Sequence, residues 1–165
     1  MQKHIAYISV GSNIGNKFQN CQNGVAALSR LQTIVMLAQS QIYKSEPVDY
    51  RNQDWFVNYA VKIETSLDPF QLLTVLKSIQ HRAGRFVDPI RFGPRILDLD
   101  IVFYDDRVIN SSKLVVPHPR MHKRRFVLKP ICDIDPGIIH PVLKQSMRCL
   151  LDGLNDDGQE VQPYP

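Results

Sequence analysis

The sequence predicts an α+β fold of the ferredoxin-like kind: an antiparallel sheet backed by helices, with an added hairpin and a helical C-terminal segment. Two observations carry this. The apolar runs follow the order strand–helix–strand–strand–helix–strand, which folds readily into one sheet with two helices against it. The strand-like runs are β-branched and aromatic, whereas the two long helical runs place apolar residues at helical spacing. A chain of 165 residues can bury one ordinary core, so residues 1–165 are expected to form a single domain.

Each element has its own signal. Residues 4–10 (HIAYISV) form a β-branched and aromatic run that stops at Gly11. After the turn GSNIGN, residues Phe18, Cys21, Val25, Leu28 and Leu31 recur at helical spacing, predicting a helix over about 16–31. Residues 33–43 predict a second strand, and 46–54 a polar loop broken by Pro47. Residues 55–65 (WFVNYAVKIET) predict a third strand. The next helix is the best marked: Asp68 suits the N-cap, Pro69 the first turn and Gly84 the stop. Phe70, Leu73, Leu76 and Ile79 or Gln80 are its expected buried stripe. Residues 85–95 form a basic loop leading into a last strand, FGPRILDLDIVFY, followed by a hairpin through YDDRVI to a return strand near KLVV. Short helices are expected near 120–132 and 146–154.

Composition excludes several classes. The chain is 44% hydrophobic and 22% charged, with a formal net charge of +4. That modest positive charge suits a nucleotide or another polyanion better than it argues for nucleic acid. The cysteines Cys21, Cys132 and Cys149 are scattered and odd in number, which suggests neither a zinc site nor a disulfide framework. The apolar run before Gly11 is too short for a signal peptide or a membrane span. A soluble cytoplasmic protein without a membrane partner is therefore expected.

The oddest feature is LDLDI, where Asp98 and Asp100 alternate with Leu97, Leu99 and Ile101 in the most apolar strand. Alternation puts both carboxylates on one face, with Cα atoms about 6.5–7 Å apart. Leu97, Leu99, Ile101 and Phe103 are expected on the other face, and Ile96, Val102 and Tyr104 with the aspartates. Two carboxylates so close repel unless a cation or a proton lies between them, and oxygen ligands completed by phosphate and water suit magnesium. Spacing alone leaves a magnesium site and a polar strand face equally open.

The basic residues tip that balance. Arg85, Arg91 and Arg95 lead into the strand, and lysines and arginines recur without an acid from 107 to 132, densest in HPRMHKRR. Arginines beside paired carboxylates suit phosphoryl transfer, where guanidinium groups and a metal stabilise charge on phosphate oxygens. An RNA-binding sheet would instead display aromatic stacking residues in an RNP1-like string, which is absent. Neither GxxxxGK[ST] nor GxGxxG occurs, so a phosphate would be held by side chains and metal.

Taken together, VGSNIGN, YKSEPV, WFVN, the Gly84–Arg85 pair, FGPRILDLDIVFY and VPHPRMHKRRFVL, in that order over residues 10–128, resemble the 6-hydroxymethyl-7,8-dihydropterin pyrophosphokinase family. The resemblance implies transfer of the β,γ-pyrophosphoryl unit of ATP to the pterin hydroxymethyl oxygen, releasing AMP, in folate biosynthesis. It implies ATP as co-substrate and two magnesium ions held by Asp98 and Asp100. Arg85 and Arg95 match the catalytic arginines. Lys113, His118 and Arg124 match positions that contact ATP, with Gln80, Phe92 and Ile101 also on the nucleotide side. Ser45, Val48, Phe56, Asn58 and Phe126 match the pterin pocket, with Gly11 and Asn13 shaping the adjacent turn. A monomer with small-molecule substrates and no nucleic-acid partner is expected.

Without the resemblance, Phe56 and Phe126 read more readily as core residues, Asn58 favours a ligand with a structural hydrogen bond as its rival, and His118 also reads as a turn residue. His4, His81, His122 and His140 carry no functional expectation. The sequence departs from the family pattern at Gln80, where Glu is frequent, at Phe92, where Trp is common, at Val87 and at Phe56. The loops 46–54 and 85–95 are expected to be mobile without substrate, with ATP drawing Arg85 and Arg95 inward. Amide hydrogen exchange over 85–95 should therefore slow when a magnesium–ATP analogue binds; unchanged exchange would refute that gating.

Overall fold

The computed structural model describes residues 2–84, 92–155 and 158–165. In chain order the elements are β1 (His4–Ser12), α1 (Lys17–Ser29), β2 (Ile34–Gln39), β3 (Tyr43–Ser45), β4 (Phe56–Thr65), α2 (Pro69–Arg82) and β5 (Asp98–Tyr104). A two-stranded ribbon of β6 (Ile109–Asn110) and β7 (Val115–Val116) follows, then a 3₁₀ turn (Met121–Lys123), α3 (Arg125–Ile134), α4 (Met147–Asp152) and β8 (Val161–Pro163). The main sheet runs β5-β1-β4-β3-β8, with β2 also on β4. The pairings are antiparallel, as the ferredoxin-like prediction requires.

The helices start where the side chains cap them. Asn16 Oδ1 accepts from the Gln19 amide at 3.2 Å, opening α1. At α2, Asp68 Oδ1 accepts from the amides of Phe70 and Gln71, both at 2.9 Å, while Gln71 Oε1 accepts from the Asp68 amide at 3.0 Å. This reciprocal pair satisfies amides that an α-helix leaves open at its first turn. The face of α2 turned to the sheet carries Pro69, Leu72, Leu76, Ile79 and Gln80. The expected stripe is thus rotated: Phe70 is 41% exposed and Leu73 only partly buried. The cap fixes the helix start, and the phase then puts Leu72 inward.

The two sheet faces are covered differently. Ala6, Ile8 and Val10 of β1, Val57, Tyr59, Val61 and Ile63 of β4, and Leu99 and Ile101 of β5 pack with Cys21 and Leu28 of α1 and Leu72, Leu76 and Ile79 of α2. The opposite face supplies Tyr7, Ala60, Val102 and Phe103, which pack under Val127, Leu128, Ile131 and Cys132 of α3 and Met147 of α4. That second layer covers only one end of its face.

Three expectations about strands are corrected. Residues 33–43 form two strands, because Ser40 interrupts the ladder with its hydroxyl; β2 itself continues through a register shift on β4 between Met36 and Ala38. Ser40 Oγ accepts from the Ala60 amide at 2.9 Å, so β2 and β3 can both use β4. In β5 the register against β1 shifts between Tyr7 and Ile8, pairing Ile8 with Ile101 but Tyr7 with Phe103. The extra residue turns Phe103 to the face of Tyr7 and Val102, and Tyr104 to the face of Leu99 and Ile101; strict alternation had them reversed. Finally, β7 pairs with β6 rather than β5.

Leu76 is fully buried where α2 meets the sheet. Leu76→Ala is expected to lower unfolding stability by about 2–5 kcal/mol, measured by urea denaturation. Phe70→Ala, on the exposed side, should cost far less.

Candidate active site

The uncovered end of the second sheet face is the floor of a cleft of about 250 Å³. Gly11 lies between Asn58 on β4 and Asp98 on β5, and Ser9 between Ala60 and Asp100. One wall is the segment Ser45, Glu46, Val48 and Asp49, and Phe56 lies beside it. Opposite stand His118, Arg120, Arg124, Phe126 and Val127, with Phe92, Gly93 and Arg95 closing the rim. The floor is polar because period-two alternation reserves the apolar partners of these residues for the α1/α2 core.

Gly11 is required by close approach. A Cβ there would stand 2.7 Å from Asn58 Oδ1. The Asn58 amide is 4% exposed and donates from Nδ2 to Ser45 Oγ at 2.5 Å. Its orientation is therefore fixed, with the amide oxygen over the glycine. A buried amide so held can read hydrogen-bonding groups on the edge of a flat heterocycle.

The cationic side is equally organised. Arg124 Nη2 lies 3.1 Å from Asp49 Oδ2, joining the two walls. The guanidinium of Arg120 lies 4.6 Å from the centre of the Phe92 ring, and that of Arg124 lies 5.6 Å from Phe92 and 5.5 Å from Phe126. Such contacts hold a cation over an aromatic face while its edge stays available to an anion. Phe92 has a positive φ of 57°, and its carbonyl accepts from Gln53 Nε2 at 2.8 Å. Burial, reinforced by nearby Arg124, pushes the His118 imidazole down to about 4, with Asp98 opposing and Arg120 adding to the shift. The ring is neutral at pH 7. Its Nδ1 accepts from the Arg120 amide at 3.2 Å, which leaves the proton on Nε2 as a donor.

Most of the expected residues meet here: Gly11, Ser45, Val48, Phe56, Asn58, Phe92, Arg95, Asp98, Asp100, His118, Arg124 and Phe126 all line the cleft. Four are elsewhere. Ile101 is in the α1/α2 core, because it alternates with the aspartates. Gln80 is buried behind β5, its Oε1 accepting from the Leu99 amide at 2.6 Å, and so holds the backbone between the two aspartates. Asn13 lies beneath the loops: its amide donates to the Arg95 carbonyl and its Oδ1 accepts from the Arg95 amide. Asn13 Nδ2 donates to Gln53 Oε1 and the Asp54 carbonyl. Lys113 is exposed in the turn joining β6 and β7. Arg85, Val87 and Arg91 lie outside the described residues.

Sequence reasoning missed Ser9, Glu46, Asp49, Arg120 and Val127 in the lining. Ser9 was detectable as the β1 residue sharing a face with Gly11, and Arg120 lies within the basic run already singled out.

Fold and cleft together describe a ferredoxin-like α+β protein with a small-molecule pocket on the open half of its sheet. The model of the 7,8-dihydro-6-hydroxymethylpterin-pyrophosphokinase (HPPK) family matches residues 7–136, and the chain belongs to that family. It is 43% identical over 131 residues to the 2-amino-4-hydroxy-6-hydroxymethyldihydropteridine pyrophosphokinase of Bacillus subtilis, covering 79% of this chain and 78% of that protein. It is 41% identical over 154 residues to the folic acid synthesis protein fol1 of Schizosaccharomyces pombe, covering 93% of this chain. The chain spans only 21–24% of that protein and of its counterparts from Pneumocystis carinii and Dictyostelium discoideum. The fold matches the crystal structure of Plasmodium falciparum HPPK-DHPS with pterin and p-hydroxybenzoate at a TM-score of 0.72 and 17% identity, over 92% of this chain and 42% of that one.

Gly11→Ala must displace the Asn58 amide and disturb its bond to Ser45. A stability loss of about 1–3 kcal/mol is expected, measured by urea unfolding. Gly11→Ala unfolding at the wild-type midpoint would show that the Asn58 side chain yields freely.

Proposed function

We propose that this chain transfers the β,γ-pyrophosphoryl group of ATP to 6-hydroxymethyl-7,8-dihydropterin, giving the pterin diphosphate and AMP, in folate biosynthesis. The observation that carries the reading is the placement of Asp98 and Asp100 on the floor of a cleft whose rim and wall hold Arg95, Arg120 and Arg124. The hydroxymethyl oxygen forms a bond to the β-phosphorus as its O–H bond breaks and the proton passes to water. The bond from that phosphorus to the oxygen bridging to the α-phosphate breaks, and AMP leaves with the electron pair.

The chain's own groups bind and orient. Phe56 and Phe126 offer faces for the pterin ring, Asn58 reads its edge with Ser45 fixing the amide, and Val48 contributes through its segment's backbone. Gly11 keeps the floor low beside that amide. His118 offers its Nε2 proton to a phosphate or ribose oxygen. Arg95, Arg120 and Arg124 hold phosphate oxygens, with Arg85 proposed to join them. Gln80 and Asn13 act one step back, by fixing the backbones of Leu99 and Arg95.

Asp98 and Asp100 would hold the two magnesium ions, and the donor set fits them. Among the described residues no three His, Cys, Asp or Glu side chains gather to bind a metal alone. Two carboxylates completed by phosphate and water oxygens are what magnesium accepts. Magnesium, when bound, neutralises the triphosphate and favours in-line displacement.

The proposal also takes residues 1–165 as one domain acting as a cytoplasmic monomer on small molecules, without nucleic acid. Among the described residues no helix is long and apolar enough to cross a membrane.

Incubation with magnesium, ATP and the hydroxymethyl dihydropterin should release AMP stoichiometrically with pterin diphosphate. ADP would identify an ordinary γ-phosphate kinase, and the absence of either product would overturn the enzymatic reading. Asp98→Asn and Asp100→Asn should each lower kcat on the order of 10³-fold while melting close to wild type. Melting far below wild type would instead make the pair structural.

A further inference from the structure

Residues 158–165 lie beyond the segment that the family model matches, 7–136, yet they touch both walls of the cleft. On one side β8 continues the sheet beyond β3, pairing Val161 with Ser45 and Gln162 with Lys44. The contact extends into the wall. The Glu46 amide donates to the Glu160 carbonyl at 3.0 Å, and the Glu160 amide donates to Glu46 Oε1 at 2.7 Å. Arg51 Nη2 donates to the Gly158 carbonyl at 3.1 Å. Gly158 has a positive φ of 75°, and a Cβ there would collide with the Arg51 guanidinium.

On the other side the segment caps α3. That helix starts after Arg124, whose side chain makes no capping hydrogen bond. Gln159 supplies the missing acceptor: its Oε1 takes the Arg125 amide at 2.9 Å. The capped turn carries Arg124 and Phe126, two residues of the opposite wall. Beyond β8 the strap is fastened again, with the Tyr164 amide donating to the Ile42 carbonyl at 2.8 Å. The Tyr164 ring stacks on Phe18 of α1 at 5.5 Å and 3°.

We infer that Gln159 and Glu160 are positioning residues: segment 158–165 is a strap that sets the separation of wall 45–51 from wall 124–126, and through it the affinity for the pterin. The inference rests on the proposed function for its ligand. Its physical basis is preorganisation. The 46–51 wall is polar and irregular, and a wall already held in the bound geometry loses less conformational freedom when a planar ligand enters. Gln159 ties the far wall to the same short segment, so both walls are ordered by one element.

The test compares the full chain, a chain ending at Asn155, Gln159→Ala and Gln159→Glu, the last keeping an Oε1 acceptor. Binding of 6-hydroxymethyl-7,8-dihydropterin is measured by calorimetry with magnesium and a non-hydrolysable ATP analogue, together with kcat, pterin KM and thermal melting. Gln159→Ala should weaken pterin binding about 3–10-fold, and the shortened chain about 10-fold or more, with kcat at saturation within about twofold of wild type. Gln159→Glu should restore most of the affinity. Equal affinity in all four chains overturns the inference, as does an alanine variant whose loss Gln159→Glu fails to rescue. If the full chain binds no pterin, the functional reading fails instead. Hydrogen exchange at 46–51 and 124–128 in the free chains then decides the strap alone: faster exchange in Gln159→Ala supports it, and unchanged exchange overturns it.

Discussion

The unequal covering of the two sheet faces governs this structure. Period-two alternation in β1, β4 and β5 sends one set of side chains into the α1/α2 layer along the whole sheet. The other set meets α3 and α4 at one end only. Apolar side chains left on the remaining end would expose a hydrophobic patch, which soluble folds avoid unless something covers it. The residues there are instead Ser9, Gly11, Asn58, Asp98 and Asp100. The core and the candidate site therefore use the same strands and are separated only by side-chain parity and by where α3 stops.

The seating of α3 then becomes decisive. Its last residue lies next to Asp135, and that end is tied to the sheet by side-chain bonds. The Tyr7 hydroxyl donates to Asp135, Lys62 Nζ lies 2.8 Å from the same carboxylate, and the Tyr43 hydroxyl donates to Asp133. Lys62 also sits over the Tyr7 ring at 5.6 Å. Partly buried charged groups held by several partners fix an orientation better than apolar contacts, which tolerate sliding. With its C-terminal end fixed, α3 projects its first turn, and so Arg124 and Phe126, toward the cleft.

Much of this was legible in the sequence, and what was not has a common cause. Strand and helix order, the N-cap at Asp68 and the pairing of Asp98 with Asp100 on one face are local properties that a few adjacent residues determine. The residues brought to the cleft came from motif resemblance, whose strings lie far apart in the chain and meet only through β1, β4 and β5. Three features depended on pairing between distant segments. The break at Ser40 arises because two strands share β4. Gln80 reads as one more helix residue until β5 is placed beside it. Asn13 reads as a turn residue, although its side chain joins Arg95 to the 50–54 loop. Helix phase at Leu72 was missed for a smaller reason: Phe70 is more hydrophobic than its position requires.

The bulge in β5 shows how the chain moves from site to core within a few residues. Asp98 and Asp100 face the cleft, and strict alternation would next send Val102 to the same side and Phe103 to the α1/α2 core. That core already receives Leu99 and Ile101 from this strand, and the tyrosine hydroxyl of residue 104 needs an acceptor if buried. The inserted residue resolves both demands. Val102 and Phe103 turn together to the face where α3 and α4 begin to cover the sheet. Tyr104 enters the other core with its hydroxyl donating to the Leu67 carbonyl at 2.5 Å. A bulge increases local twist and re-aims side chains, and here it stands at the boundary between the wet and dry ends of one sheet face. The like charges of Asp98 and Asp100 are tolerable because that boundary falls just after them: two residues further along the strand, a carboxylate would lie under α3.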